Sequence, residues 1–205
     1  HVDLYEQDGH PVTRASRVNE GKIHRGFLYA HDRSLRTARL MVRGGLAFSA
    51  CLSRWIDLAA RPLHLSTPFV YVVHRNTMVD IDAVEHHFSA CCSADRELRA
   101  ASGLRYLGRD EASSFRKLDP EQLRSILNPA ELVGAFETTE YAIDPRPVAE
   151  RLRAAVLAEP RITFHGGCRV DRVERVNGRG FVVSFTHDAP GRSGPYDQVV
   201  NALWD

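Results

Sequence analysis

The chain is poor in cysteine: Cys51, Cys91, Cys92 and Cys168 are its 4 cysteines among 205 residues, and none makes a C-x-x-C pair. Adjacent Cys91 and Cys92 are a poor start for a disulfide framework, so neither a stapled secreted scaffold nor a cysteine metal site is indicated. Long apolar runs are missing too. A spanning helix needs roughly 18 or more apolar residues; the most apolar stretch, residues 40–60, is broken by Arg43, Arg54 and Asp57. Charge of one sign is also lacking. With 27 Lys+Arg against 26 Asp+Glu the formal net charge is +1, which gives no argument for nucleic acid or a membrane surface as partner. The 10 histidines add charge only at mildly acidic pH. No signal-peptide pattern, internal repeat or low-complexity segment is present, and a reducing cytoplasm is the expected compartment. G-x-S-x-G, P-loop and H-E-x-x-H motifs do not occur. His86 and His87 near Asp82 suggest a metal at first sight, but adjacent helical residues point to different sides and do not converge on one ion.

What remains is ordinary globular composition, 43% hydrophobic and 26% charged, long enough for one large domain or two small ones. The chain opens at His1 straight into an apolar strand and closes at Asp205 just after another. That pattern suggests a segment of a longer protein.

Along the chain, Val2 to Tyr5 reads as a buried, parallel-type strand with Glu6 at its carboxyl end. Residues 15–30 then form a loop that mixes Ser16, Asn19 and Gly21 with Arg17, Lys22 and His24. Such a loop offers backbone N–H groups and positive charge to an anion or an electron-rich ring. Residues 31–60 read as a core helix capped by Asp32 or Ser34, with Leu35, Ala38, Val42, Gly45, Phe48, Leu52, Trp55, Ile56 and Ala59 at three- and four-residue steps. Gly44-Gly45 predicts close backbone packing or a kink. Residues 69–73 are a strand, and Asp80 or Asp82 starts a helix that Gly103 stops near residue 101. A short strand is expected around Tyr106-Leu107, one or two helical turns at 120–127, and an extended segment at 132–140 burying Val133, Ala135 and Phe136. Asp144-Pro145 is a helix start. After it come a strand at 162–164, a second at 168–176, an Asn177-Gly178 hairpin turn and a return strand at 181–186. Residues 188–194 read as a polar turn, and 196–202 as a final strand burying Val199 and Val200.

Four features together resemble the FAD-dependent oxidoreductases of the D-amino acid oxidase superfamily. VDLYE at 2–6 is similar to the second strand of the FAD-binding Rossmann unit. ASRVNEGKIHRGFLY resembles the loop after it, with Ile23-His24-x-Gly26 close to the hydroxyacid and glycerophosphate dehydrogenase branch. The Ile143-Asp144-Pro145 helix start with its following strand and meander is the third, and VVNALWD at 199–205 is the fourth. The likeness covers most of 1–60 and 142–205, and the middle only loosely.

The resemblance implies an α/β fold. Its parts would be an incomplete, two-segment, Rossmann-like FAD-binding domain over 1–61 and 142–205, and a small α+β portion of a substrate domain over 62–141. The family's G-x-G-x-x-G turn, about 20 residues before the acidic position, would lie upstream of His1. The implied cofactor is FAD. Glu6 would hold the adenosine ribose; Ser16, Arg17, Asn19, Gly21, Lys22 and Ile23 would line the side from pyrophosphate to isoalloxazine. Val170 would meet the adenine through its backbone, and Ala202, Leu203 and Trp204 would pack near the dinucleotide. Leu203-Trp204 depart from the family, which has small residues there. The implied activity is oxidation of a small amine, amino acid or hydroxyacid, a hydride equivalent passing to flavin N5; the electron acceptor is left open.

Two chemical candidates follow. A cation at Lys22 suits the flavin N1/O2 or N5 edge, where it stabilises reduced flavin; it also suits an ordinary surface loop. His24 is the catalytic candidate, contacting the flavin or taking a proton from a substrate hydroxyl or amine, or else a histidine satisfied by backbone groups. Tyr71 and His74 read first as a sheet-facing residue and a strand-end cap, and Cys91-Cys92 as helix packing. A non-catalytic nucleotide-binding or interaction domain on the same framework is the competing class.

Overall fold

The computed structural model describes residues 1–66, 69–126, 128–176, 178 and 180–202. In chain order the first elements are β1 (Val2–Glu6), β2 (Lys22–Ile23), α1 (Arg36–Leu52), β3 (Phe69–His74) and α2 (Ile81–Ser102). Next come β4 (Phe115–Lys117), α3 (Pro120–Ile126), β5 (Leu132–Thr138), β6 (Tyr141–Ala142) and α4 (Pro145–Ala158). The last are β7 (Ile162–Gly166), β8 (Arg169–Arg175), β9 (Phe181–Thr186) and β10 (Pro190–Tyr196). Single 3-10 turns lie at Phe27–Tyr29, Tyr106–Gly108 and Pro129–Glu131. The result is a mixed α/β chain in two compact units, residues 1–19 with 146–205 and residues 20–145.

In the first unit β1 pairs in parallel with β7, from Val2 opposite Ile162 to Glu6 opposite Gly166. The parallel pairing expected of Val2 to Tyr5 is present, and Glu6 closes the strand. Tyr5 stacks on His165 at 4.5 Å, and His165 Nε2 lies 2.8 Å from Asp3 Oδ1. The meander β8–β9–β10 is antiparallel. Its third strand occupies what the sequence suggested was a polar turn. β10 is an edge strand, where proline costs no ladder bond it would otherwise make. Gly191 also leaves room for the Phe185 ring, which a Cβ there would approach to 2.7 Å. The expected final strand is not formed over the described residues: 197–202 joins no ladder, and Val200 is 84% exposed. An apolar pair such as Val199-Val200 is buried only where a flanking strand and a covering layer exist. The Asn177 half of the predicted hairpin turn lies outside the described residues.

In the second unit β5 is the central strand of an antiparallel sheet ordered β3-β5-β4, and β2 pairs with β6. Phe88 of α2 is the centre of the core, its ring 4.8 Å from Phe27, 5.6 Å from Tyr71, 5.5 Å from Phe115 and 5.2 Å from Phe136. β4 covers β5 only at Phe136–Thr138, so Thr138 is buried while Val133, expected to be buried, is 52% exposed nearer the strand's start. Asp80 caps α2 by accepting from Ala83 N at 2.8 Å, and Gly103 ends it at φ 68°. α1 is shorter than predicted. Asp32 accepts from Ser34 N and from Thr37 N, so it holds a turn before the helix, and Leu35 takes a left-handed φ of 58°. Trp55 lies beyond the helix, half exposed. Tyr106 is in a 3-10 turn, not a strand, and is fully buried.

The sequence suggested divisions after residues 61 and 141. The compact units divide after 19 and 145. Residues 20–61 pack with the middle of the chain because Gly45 of α1 sits under the Tyr106 ring and against His24 O, where a Cβ would come within 2.8 Å. The close packing expected of the Gly44-Gly45 pair therefore falls on Gly45; Gly44 faces open space.

Candidate functional site

In the first unit the candidates gather around the end of β1. The half-buried Glu6 accepts from Asp8 N at 3.1 Å through Oε1, and its backbone oxygen accepts from Cys168 N at 2.9 Å. Glu6 Oε2 has no hydrogen-bond partner among the described residues. The loop beyond is tied by residues that sequence reasoning missed. Asp8 accepts from Thr13 Oγ1 at 3.0 Å and from Arg14 Nε at 2.9 Å. Hydrogen bonds from Arg14, then Thr13, hold the Asp8 carboxyl down at about 2. Arg153 of α4 donates to Pro11 O at 3.1 Å and to Val12 O at 3.4 Å. Asn19 Nδ2 donates to Ala15 O at 2.7 Å. Ser16 and Arg17 are exposed, and their side chains have no partner among the described residues. Val170 is the second residue of β8, an edge strand, opposite Phe185, with a bulge before Arg172. Ala202 is exposed; Leu203 and Trp204 lie outside the described residues.

In the second unit two residues of the cationic loop, Lys22 and Ile23, form a short strand, which the sequence reading missed. Lys22 pairs with Ala142 and Ile23 with Tyr141. Gly21, at φ 66°, precedes the pair and accepts from Ile143 N at 2.9 Å. Lys22 is exposed, its Nζ 3.6 Å from Glu20 Oε2 and 5.7 Å from the Phe69 ring centroid. Ile23 is buried, and its carbonyl accepts from Tyr106 Oη at 2.5 Å.

His24 stands at the edge of a buried polar cluster. Its Nδ1 is buried, lacks a hydrogen-bond partner and lies 3.9 Å from Glu140 Oε2. Glu140 is 1% exposed; Oε1 accepts from Arg25 N and Oε2 from Tyr71 Oη. Burial first, then the charge of Glu140, pushes the Tyr71 phenol above its ordinary range. Arg25 is also fully buried, donating to Asp95 Oδ1 at 2.9 Å and lying 4.3 Å from the centre of the Tyr106 ring. Asp95 Oδ2 in turn accepts from Ser113 N at 3.0 Å. Tyr71, expected to face the sheet, thus belongs to this cluster, whereas His74 is exposed and contacts Glu131. Glu140, Arg25 and Asp95 were not foreseen. A signal existed for Asp95: it falls in phase with the buried stripe of Val84, Phe88 and Cys91.

Cys91 packs with its Sγ 3.4 Å from His87 Nε2, and burial pushes its thiol up to about 12, which suits packing rather than redox chemistry. Among the described residues no group of histidine, cysteine or carboxylate side chains could hold a metal ion. No helix among them is long and apolar enough to cross a membrane.

The family model described as DAO, FAD dependent oxidoreductase, matches residues 1–203. The chain belongs to this family. No curated protein sequence matches it. Among solved structures it is similar to glycine oxidase from Geobacillus kaustophilus, with a TM-score of 0.59 at 13% identity over 92% of this chain and 45% of that one. Iminodiacetate oxidase from Chelativorans sp. BNC1 gives 0.55 at 16% identity, again over 92% and 45%. Dithionite-reduced L-alpha-glycerophosphate oxidase from Mycoplasma pneumoniae, with FAD bound, gives 0.52 at 13% identity over 88% and 42%. At such identities the likeness is one of fold, and the chain spans less than half the length of each of these proteins.

The family's cofactor is FAD. The residues present fit it. A carboxylate oxygen without a partner at the carboxyl end of a parallel strand suits ribose hydroxyls, and the unengaged Ser16 hydroxyl and Arg17 guanidinium suit phosphate.

Proposed function

We propose that this chain is the part of an FAD-dependent oxidoreductase that carries the ribose-binding carboxylate and the flavin-facing loop. The enzyme as a whole oxidises a small amine, amino acid or hydroxyacid. The observation that carries the reading is Glu6, half-buried at the end of β1 with Oε2 open, in a chain whose family is FAD-dependent. The redox chemistry, acceptance of a hydride equivalent from a substrate C–H bond, would be supplied by bound FAD.

This chain's own residues bind and orient. In the first unit Glu6 accepts from the adenosine ribose, Ser16, Arg17 and Asn19 serve the pyrophosphate, and the backbone of Val170 serves the adenine, with Ala202, Leu203 and Trp204 near the dinucleotide. In the second unit Gly21, Lys22 and Ile23 face the isoalloxazine, with the Lys22 ammonium offered to its N1/O2 or N5 edge. His24 holds or takes a proton at Nε2. Residues 1–61 and 142–205 then serve the cofactor and 62–141 the substrate, a functional division that differs from the packing units. A reducing compartment and an electron acceptor other than this chain complete the reading.

The test is the visible absorbance of the full-length protein. A stoichiometric flavin spectrum that bleaches on addition of an amine, amino acid or hydroxyacid supports the proposal. A folded full-length protein that carries no flavin and takes up none from added FAD overturns it, and favours a non-catalytic domain.

A further inference from the structure

We infer that Glu140 is a positioning residue that locks His24 in the Nδ1–H tautomer and so leaves the Nε2 lone pair outward as a proton acceptor. The last clause, the use of Nε2, rests on the function proposed above; the tautomer does not.

The argument begins with acceptors. Glu140 sits at 1% exposure with both oxygens engaged, Oε1 by Arg25 N and Oε2 by Tyr71 Oη. His24 Nδ1 is buried 3.9 Å from that second oxygen and has no hydrogen-bond partner. A neutral imidazole carries its one proton on either nitrogen. With the proton on Nε2, Nδ1 would turn a buried lone pair toward a buried carboxylate oxygen, two acceptors facing each other in a poorly solvated place. With the proton on Nδ1, the same approach becomes a donor facing an anion, and a small rotation of the ring closes it to a hydrogen bond. Nε2 is the ring nitrogen not sealed from solvent, since only Nδ1 of this half-buried side chain is a buried atom without a partner.

The carboxylate is itself fixed. Arg25 N–H comes from the residue next to His24, so Glu140 grips the backbone beside the ring it orients. Tyr71 on β3 holds the other oxygen in line. Replacing Glu140 by glutamine has a defined consequence. Arg25 N–H keeps the amide oxygen at the Oε1 position, so the NH2 group takes the place of Oε2. It then donates toward His24 Nδ1, and the favoured tautomer inverts.

The experiment is the pair of ring 15N shifts of His24 at neutral pH, in the full-length protein labelled at histidine, with assignment by loss of the signals in His24→Gln. Support is a protonated, pyrrole-type Nδ1 and a pyridine-type Nε2 in the native protein, and a change to the Nε2–H form as majority in Glu140→Gln. A native protein in which Nε2–H dominates, or shifts that do not respond to Glu140→Gln, overturns the inference. Should Glu140→Gln fail to fold, Tyr71→Phe decides. Freeing Oε2 must keep or raise the Nδ1–H fraction, and a fall in it overturns the inference. The shifts are read whether or not flavin is bound, so this result stands apart from the success or failure of the flavin proposal.

Discussion

Gly21 and Ile143 are hydrogen-bonded through their backbones at 2.9 Å, so closely that a Cβ on Gly21 would run into the Ile143 carbonyl oxygen. Gly21 also has a φ of +66°, which side chains resist. Gly21→Ala is therefore expected to destabilise the second unit by about 2–4 kcal/mol, because strain and collision add. The decisive measurement is the urea midpoint at unchanged slope. A midpoint equal to that of the native protein would mean the β2–β6 pairing does not exist as described.

Arg25 and Asp95 form a fully buried ion pair at 2.9 Å. Removing one partner leaves the other charged and sealed from water. Arg25→Met and Asp95→Leu should each cost about 3–5 kcal/mol. The double variant should cost clearly less than their sum, since neither member of the 2.9 Å pair is left behind. A thermodynamic cycle from chemical denaturation tests this, and simple additivity of the two losses would argue against a coupled pair.

The Asp8 carboxyl is lowered from 3.8 to about 2, chiefly by its hydrogen bond from Arg14. A folded pKa below the unfolded one means that the contribution of this contact is fully present above about 4 and fades as pH falls from there through 2. The contact is partly exposed, so salt should weaken it. Titration of the Asp8 side-chain carbon by NMR should give a midpoint near 2, and Arg14→Met should bring it back toward 3.8. A native midpoint already at the ordinary carboxylate value would mean that Arg14 and Thr13 do not hold Asp8 as described.

Lys22 is exposed, with its ammonium 3.6 Å from the Glu20 carboxylate and 5.7 Å from the centre of the Phe69 ring. Lys22→Met is expected to change stability by no more than about 0.5 kcal/mol. If its ammonium serves the flavin, the same change should slow flavin reduction by about 10-fold or more. Stopped-flow reduction of the full-length protein reads the second quantity. An unchanged rate removes Lys22 from the site.

Elements with local signals were legible. Asp80 and Gly103 bracket α2 because a cap and a left-handed stop are properties of a few neighbouring residues. Alternation and β-branching marked β3 and β9 in the same way. The polar cluster was not legible, because its partners meet across great sequence distance: Arg25 reaches Asp95 and Glu140, separated from it by 70 and 115 residues. No pattern within a window carries that. Tyr106 misled for a related reason. The sequence suggests a short strand there, yet its ring is buried in a 3-10 turn because Gly45, Arg25 and Tyr141 close around it. Pro190 and Gly191 concealed β10, since turn formers are tolerated on an edge that the sequence alone does not announce. For the candidate site, the order of motifs pointed to Glu6 and the cationic loop, while the hydrogen bonds that hold them had to be seen.

The pairing of β2 with β6 joins residues 22–23 to residues 141–142, and Tyr106 seals it from between. On a growing chain made at ~5–20 residues per second, the segment with Lys22 and His24 waits roughly 6–24 s for its partner strand to be synthesised. Throughout that interval the Gly21 carbonyl lacks the Ile143 N–H that will donate to it, and His24 and the Arg25 N–H lack the Glu140 carboxylate. The stretch proposed to face the flavin is thus made well before the strand that fixes it, and during that wait the nascent chain is open to proteases and to pairing with the wrong strand.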